Sequence, residues 1–415
     1  MSLTSSLAYT IKPTSISARS YTHSCNPVNG NSFIAGDQIK IDIPCGVFGS
    51  YLDSNNSFMK LTFTNDSGQT YTLDSSILSV VQRMTVEYSG YLLEDVDNLN
   101  VLSSIFMDNQ IDYETKRTSV CLTHGTSGAR DRDGLSFANT NFTTFTFGLP
   151  SFILGLTASK YLPLTALTSS DSLRLTLYLA DAGVPVVCGN AAHTGTYKIS
   201  NVTFEAAMIK LEESAEMMVR NSTKMNFKMS GETFRSFNST LAATDTASLI
   251  NIPVKCSSLK TLIVAHRYAA DIAAKNKQSI TNRTKCDLTE YHFEVGSLRI
   301  PQKPVKCNAS CAEVFTGNQK ALHHFGDRHS GISFDPADFV KTATTDAGGA
   351  FVIMLDTESV YAKGEVLNSG TSTVSQTVFF SGVYDAIPAQ AICTSFAHFD
   401  CMLEIGSDGI ARVLF

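Results

Sequence analysis

The chain has no tryptophan, and only 17 % of its 415 residues are charged. A secreted sugar-binding β-sandwich usually offers an aromatic platform to its ligand, and the indole that serves best for this is missing. Basic runs are also missing: the first 36 residues hold only Lys12 and Arg19 as firm cations, and the formal net charge is −6. Gripping a nucleic-acid backbone needs clustered Lys and Arg to displace condensed counterions, so no nucleic-acid-binding arm is expected. No apolar stretch reaches the roughly 18–20 residues needed to cross a bilayer. The first ten residues have neither the charged start nor the apolar centre of a secretory signal. Together these absences predict a soluble protein made in a reducing compartment, with its ten cysteines serving mostly as small buried hydrophobes. The sequons at Asn141, Asn201 and Asn238 are the chance product of a chain rich in Asn, Ser and Thr. So little charge on a large chain leaves uncharged surface of the kind that subunit contacts cover.

What the chain does have is strand periodicity from end to end. Apolar residues alternate at Ile39, Ile41, Ile43; at Met59, Leu61, Phe63; at Leu173, Leu175, Leu177, Leu179; and again at Tyr291, Phe293, Val295. Successive strand side chains point to opposite faces, so these runs mark half-buried strands of antiparallel sheets. The length suits two domains. The expected division is an N-terminal arm at 1–35, a first unit at 36–207, a connecting helix at 208–221 and a second unit at 222–415. On that helix Leu211, Ala215 and Met218 would share a face opposite Glu212, Glu213 and Glu216, and Met217-Met218 would pack between the units. The spacing also predicts a short helix capped from Asp74-Ser75-Ser76 and a second after Asp95, carrying Val96, Leu99, Leu102 and Phe106. A third would start at a Ser310–Glu313 capping box and bury Val314, Phe315, Leu322 and Phe325. Strands at regular spacing with long loops and few helices point to an all-β protein of two consecutive eight-stranded jelly-roll sandwiches, a double jelly roll, rather than propeller blades.

No catalytic, cofactor or metal residues are assigned. The strongest competing pattern is Cys307-x3-Cys311-x12-His324-x4-His329, which has the spacing of a two-Cys, two-His zinc site. Against it, Ala321 stands where such a finger usually has Leu, and a helix begins at the second cysteine where a hairpin is required. The run from His323 to His329, with Asp327 and Arg328, could do acid–base work, yet a helix C-terminus favours His and Arg on electrostatic grounds alone. Asp131-Arg132-Asp133 reads as a solvated loop with local ion pairs. Gly125-Thr126-Ser127-Gly128 lacks the Lys and the strand–helix context of a phosphate loop. No Gly-x-Ser-x-Gly elbow or persuasive Ser–His–Asp set is found.

Several segments, taken in order, resemble a known family. Ile41-Asp42-Ile43-Pro44-Cys45-Gly46, Leu78-Ser79-Val80-Val81-Gln82-Arg83 and Leu92-Leu93-Glu94-Asp95-Val96 are similar to the first jelly roll of small double-stranded DNA virus coats. Tyr197-Lys198-Ile199-Ser200-Asn201-Val202 resembles the strand that closes it. Val295-Gly296-Ser297-Leu298-Arg299-Ile300-Pro301, with Pro304 after it, is similar to a second jelly-roll segment of double jelly-roll major capsid proteins, especially those of polinton-like viruses and virophages. The resemblance implies a non-enzymatic protein of the virion, assembled inside the host cell. It would trimerise into pseudo-hexagonal capsomers that tile an icosahedral shell. The implied partners are further copies of the chain, neighbouring capsomers, penton and minor capsid proteins, and an internal membrane or minor proteins beneath the shell. No cofactor and no sequence-specific nucleic-acid contact are implied, and a chain this short leaves little for towers or receptor-binding turrets. Two other classes stay open: a secreted carbohydrate-binding sandwich, and a shell-plus-protrusion coat of a small RNA or single-stranded DNA virus.

Overall fold

The computed structural model describes residues 17–66, 68–112, 136–138, 140–156, 158, 160–188, 196–307, 310–323, 332–345, 348–358 and 369–415. Eight framework strands lie before residue 212: β1 (Ala18–Cys25), β2 (Gln38–Pro44), β3 (Ser50–Asn65), β4 (Val81–Tyr88), β5 (Tyr91–Asp97), β6 (Phe142–Phe147), β7 (Ser172–Leu179) and β8 (Tyr197–Leu211). They pair antiparallel in the orders β1-β8-β3-β6 and β2-β7-β4-β5. Eight more follow: β9 (Phe227–Leu241), β10 (Ala247–Ile252), β11 (Leu259–Tyr268), β12 (Leu288–Val295), β13 (Leu298–Lys306), β14 (Ile353–Asp356), β15 (Val378–Tyr384) and β16 (Ala391–Ile405). Their orders are β9-β16-β11-β14 and β10-β15-β12-β13, so every strand pairs as does the strand eight places earlier. Each set is a complete eight-stranded jelly roll. The repeat extends to the helices, since α1 (Leu99–Gln110) lies between β5 and β6 and a helix at Ala312–Ala321 lies between β13 and β14.

Cross-strand rows explain why the alternating segments are strands. Ile43, Leu173 and Tyr88 sit opposite one another on β2, β7 and β4, followed by Ile41, Leu175, Val86 and by Ile39, Leu177, Met84. All nine side chains are buried. Each fully buried aliphatic or aromatic side chain in such rows contributes about 1.5–3 kcal/mol of transfer free energy. On the outer face of the same strands Arg174 grips Asp42 at 2.8 and 3.0 Å, and Arg83 holds Asp95 at 2.7 Å. Opposite, Met59, Leu61 and Phe63 of β3 line up with Phe147, Phe145 and Ile199. In the second unit the rows Ile250–Phe380–Phe293 and Ile252–Val378–Val295 repeat this scheme.

Several expected boundaries move. The segment 1–35 is not an arm from residue 18 on: β1 pairs along β8 from Ala18↔Leu211 to Cys25↔Phe204, and Ser32–Ile34 continues on the same strand. β3 begins at Ser50, well ahead of the alternation at Met59, Leu61 and Phe63. β5 precedes α1, where a helix alone was expected after Asp95. The alternation at Tyr291, Phe293 and Val295 stops at Gly296, whose φ of +61° suits glycine, and the chain turns back as β13. Residues 208–211 extend β8, so the connecting helix α2 runs over Glu213–Thr223. The helix α3 (Ala312–Ala321) takes Cys311 as its N-cap without a side-chain cap bond, and Glu313 accepts instead from the Lys306 amide. At the earlier expected cap, Ser76 does accept from the Leu78 amide at 3.2 Å.

Candidate assembly interface

The two sandwiches meet along a seam that is polar at its centre. Ser104 and Asp108 lie four residues apart and so share a face of α1. Both meet Arg283, which reaches over from the connection between β11 and β12. Its guanidinium donates to Ser104 Oγ at 2.9 Å and to Asp108 Oδ2, and neither charged side chain has measurable contact with solvent beyond a trace. Asp74 of the first unit accepts from the Ile280 amide at 2.6 Å and from Thr281 Oγ1 at 2.5 Å. A second guanidinium, Arg267, is buried nearby on the Ser279 carbonyl at 2.8 Å, and burial and the neighbouring Arg283 charge pull it down to about 10. Arg283 is thus paired and hydrogen-bonded as a buried ion must be, while Arg267 is held by neutral oxygens, the Ser279 carbonyl and Thr394 Oγ1 at 3.3 Å.

Lower on the seam, Glu94 of β5 is buried, with no cation beside it among the described residues. It accepts from Ser151 Oγ, from the Phe152 amide at 3.3 Å and from Thr233 Oγ1 of β9 at 3.4 Å. Burial pushes its carboxyl up to about 7, with the hydrogen bonds working in the other direction. Next to it Phe152 packs on Gly231 of β9, where a Cβ would stand 2.5 Å from the ring. Gly231→Ala therefore overpacks the seam and is expected to cost about 1–3 kcal/mol. Urea unfolding monitored by circular dichroism checks this, and a change below about 0.5 kcal/mol would mean that Phe152 moves aside freely.

The connecting helix is pinned to the first unit. Glu216, assigned to its polar face from the sequence, is buried, with Arg220 Nε at 2.6 Å, Tyr51 Oη at 2.9 Å and Thr165 Oγ1 at 3.0 Å. Met217 and Met218, expected between the units, are 47 % and 67 % exposed. The inversion follows from the ion pair and hydrogen bonds that Glu216 finds against the first unit.

Among the described residues, the largest group of linked charges lies in the second unit. Lys260 Nζ contacts Glu232, Glu358 at 3.0 Å and Asp400 at 3.9 Å, while His398 meets Glu232 at 3.0 Å and His323 meets Glu358 at 3.1 Å. Burial would raise the Glu232 carboxyl, but the contacts to His398 and Lys260 outweigh it and bring it to about 2. For Lys260 burial likewise opposes the charge, and its carboxylates win and raise it. The cluster works as an ion-pair lock that ties β9, β11 and β16 together.

Of the zinc-spaced residues, Cys307 and Cys311 are buried on either side of the turn into α3, and burial pushes both thiols up, Cys307 to about 12. His324 and His329 lie outside the described residues, as do Asp327, Arg328, Asp131, Arg132, Asp133 and the glycines of 125–128. Among the described residues no group of three or more His, Cys, Asp or Glu is placed to hold a metal ion. No helix among them is long and apolar enough to cross a membrane. Asp108, Arg283, Asp74 and Glu94 escaped the sequence reading as a site, because no spacing links residues that meet only in space.

No protein-family model and no curated protein matches the sequence. Solved structures do match along the whole chain. The capsid of PBCV-1 aligns with a TM-score of 0.64 at 12 % identity, over 98 % of this chain and 99 % of that one. The Sputnik virophage structure aligns with 0.56 at 10 %, over 100 % and 92 %. The mavirus major capsid protein aligns with 0.54 at 10 %, over 100 % and 94 %. At such identities the likeness speaks for the fold, two jelly rolls in series over the full length.

Proposed function

We propose that this chain is the major capsid subunit of a virus, and that it acts by self-assembly. Three copies close into a pseudo-hexagonal capsomer of six jelly rolls, and capsomers tile an icosahedral shell. The carrying observation is the repeat itself: two sandwiches of identical strand order, locked by a buried seam, along a chain that aligns end to end with viral coat subunits. A shell-plus-protrusion coat would join two unlike domains, and this chain joins two alike. Exposed apolar side chains such as Tyr91, Leu92, Leu249 and Met218 supply surface for neighbouring copies. Penton proteins, minor capsid proteins and a membrane or minor proteins beneath the shell are the further partners of this reading. With a net charge of −6, the subunit leaves the genome to other components.

Light scattering on the eluting native peak, with negative-stain images of the same fractions, tests the proposal. The expected mass is three times that of the 44.9 kDa chain, with a hexagonal outline. A monomer at every concentration would overturn it.

A further inference from the structure

One run of chain in the second sandwich, 274–283, reaches into the first. It lies between a short helix at Ala269–Ala273 and β12. Lys275 Nζ donates to the Ala182 carbonyl and Ser279 Oγ to the Val184 carbonyl at 2.7 Å, ahead of the contacts of Ile280 and Thr281 with Asp74 and of Arg283 with Asp108.

Behind this run three side chains meet on one carboxylate. Asp271, on the short helix, is buried. Its Oδ1 accepts from Lys277 Nζ at 2.7 Å, and its Oδ2 accepts from Asn282 Nδ2 at 3.0 Å. The other end of the Asn282 carboxamide is held as well, since Oδ1 accepts from the Gly349 amide at 2.7 Å. Glycine permits that approach, because a Cβ at 349 would stand 2.2 Å from the Arg283 carbonyl. Asn282 is only 6 % exposed, whereas the Lys277 side chain, at 43 %, opens one side of the group to water. The set contains an amine, a carboxylate that bridges amine and carboxamide, and a backbone N–H on the carboxamide oxygen. Those are the nucleophile, the general acid–base and the oxyanion donor of an acyl transfer.

We propose that Lys277 and Asn282 join through an amide bond between their side chains, formed by the chain itself with Asp271 as proton carrier. The ammonium first gives a proton to Asp271 Oδ1 along their hydrogen bond, which frees the Nζ lone pair. Nζ then bonds to Cγ of Asn282, and the charge that develops on Oδ1 meets the Gly349 amide. Two protons pass in turn from Nζ through Asp271 to Nδ2, the Cγ–Nδ2 bond breaks, and ammonium leaves on the side open to water. One C–N bond forms and one breaks, and the Asp271 carboxylate is restored. Unlike a disulfide, the bond needs no oxidant. It closes the chain from 277 to 282, so that Ser279, Ile280 and Thr281 are ordered before they meet the first sandwich and lose less conformational freedom there.

Only the free amine attacks, so the bond sets faster as pH rises. Intact-mass spectrometry of the full chain, purified and then aged at pH 9, tests the proposal. The chain should become lighter by about 17 Da, one ammonia, and trypsin should no longer cut after Lys277, so that 276–283 is recovered as one peptide lighter by the same mass. Lys277→Arg keeps a cation for Asp271 but offers no amine, and should retain its full mass. Asp271→Asn should slow the loss on the order of a hundredfold or more. An unchanged wild-type mass after ageing overturns the proposal, and so does an equal rate in Asp271→Asn. A loss that Lys277→Arg shares, or that leaves Lys277 cleavable, also overturns it, because Asn282 would then have closed on its own backbone. None of these readouts depends on how many chains associate, so the bond and the coat reading stand or fall separately.

Discussion

Arg283→Met is expected to lower the free energy of unfolding by about 3–5 kcal/mol, because it takes a buried charged partner from the Asp108 carboxylate. The pair itself contributes less than this loss suggests, since desolvating two ions offsets most of their attraction. The double variant Arg283→Met with Asp108→Leu should therefore recover much of the deficit, as two apolar groups replace two charges in the same volume. Urea titrations of wild type, both single variants and the double variant give the coupling directly. A single-variant loss under about 1 kcal/mol would show that water reaches Asp108, and the seam would not be the dry joint described above. Because Arg283 and Asp108 belong to different sandwiches, Arg283→Met should also uncouple them, so that one unfolding transition becomes two.

Stability should fall as pH rises from about 4.5 to 7, and Glu94→Gln should abolish that fall. The sign follows from the carboxyl being raised in the folded chain to about 7 from an ordinary value of 4.5. The folded state then holds the Glu94 proton more tightly than the unfolded state does. Its contribution is complete below the unfolded value and is lost as pH rises through the folded one. A shift of that size corresponds to about 3 kcal/mol between the two limits. Glu94→Gln keeps the shape and carries no charge at any pH, so at pH 8 it should exceed wild type by roughly that amount and at pH 4.5 match it. Equal pH slopes for the two proteins would mean that Glu94 is solvated.

Both effects arise at a seam that the sequence hardly announced. Alternation found the strands whose two faces differ: Ile39, Ile41 and Ile43 are fully buried while Lys40 and Asp42 between them are not. β1 failed that test because nearly every residue in it is exposed, and a strand without a buried face has no period to read. The helix pattern from Val96 to Phe106 was real from Leu99 on, but it hid β5, whose apolar residues fit either period over so short a run. Gly296 in 291–300 was the one visible sign of a hairpin there. For α2, the apolar Met218 was assigned inward and the acidic Glu216 outward, and the ion pair with Arg220 reversed both. The buried charges fared worst. Asp74 was read as a helix cap, while the structure uses its carboxylate on the second sandwich and leaves the capping to Ser76. Arg283 stands 175 positions from the aspartate it neutralises, and local spacing holds no trace of that.

The linker α2 also sets how such an assembly responds to dilution. Two sandwiches tethered by eleven helical residues meet at an effective concentration in the millimolar range, whatever the concentration of chains. In the proposed capsomer, half of the joints between sandwiches are then formed before any encounter between molecules. Closing the ring takes three bodies instead of six, with a correspondingly gentler dependence on supply. The tether also gives every first sandwich its own second sandwich on one side, which leaves only the joints between chains for the contacts to specify.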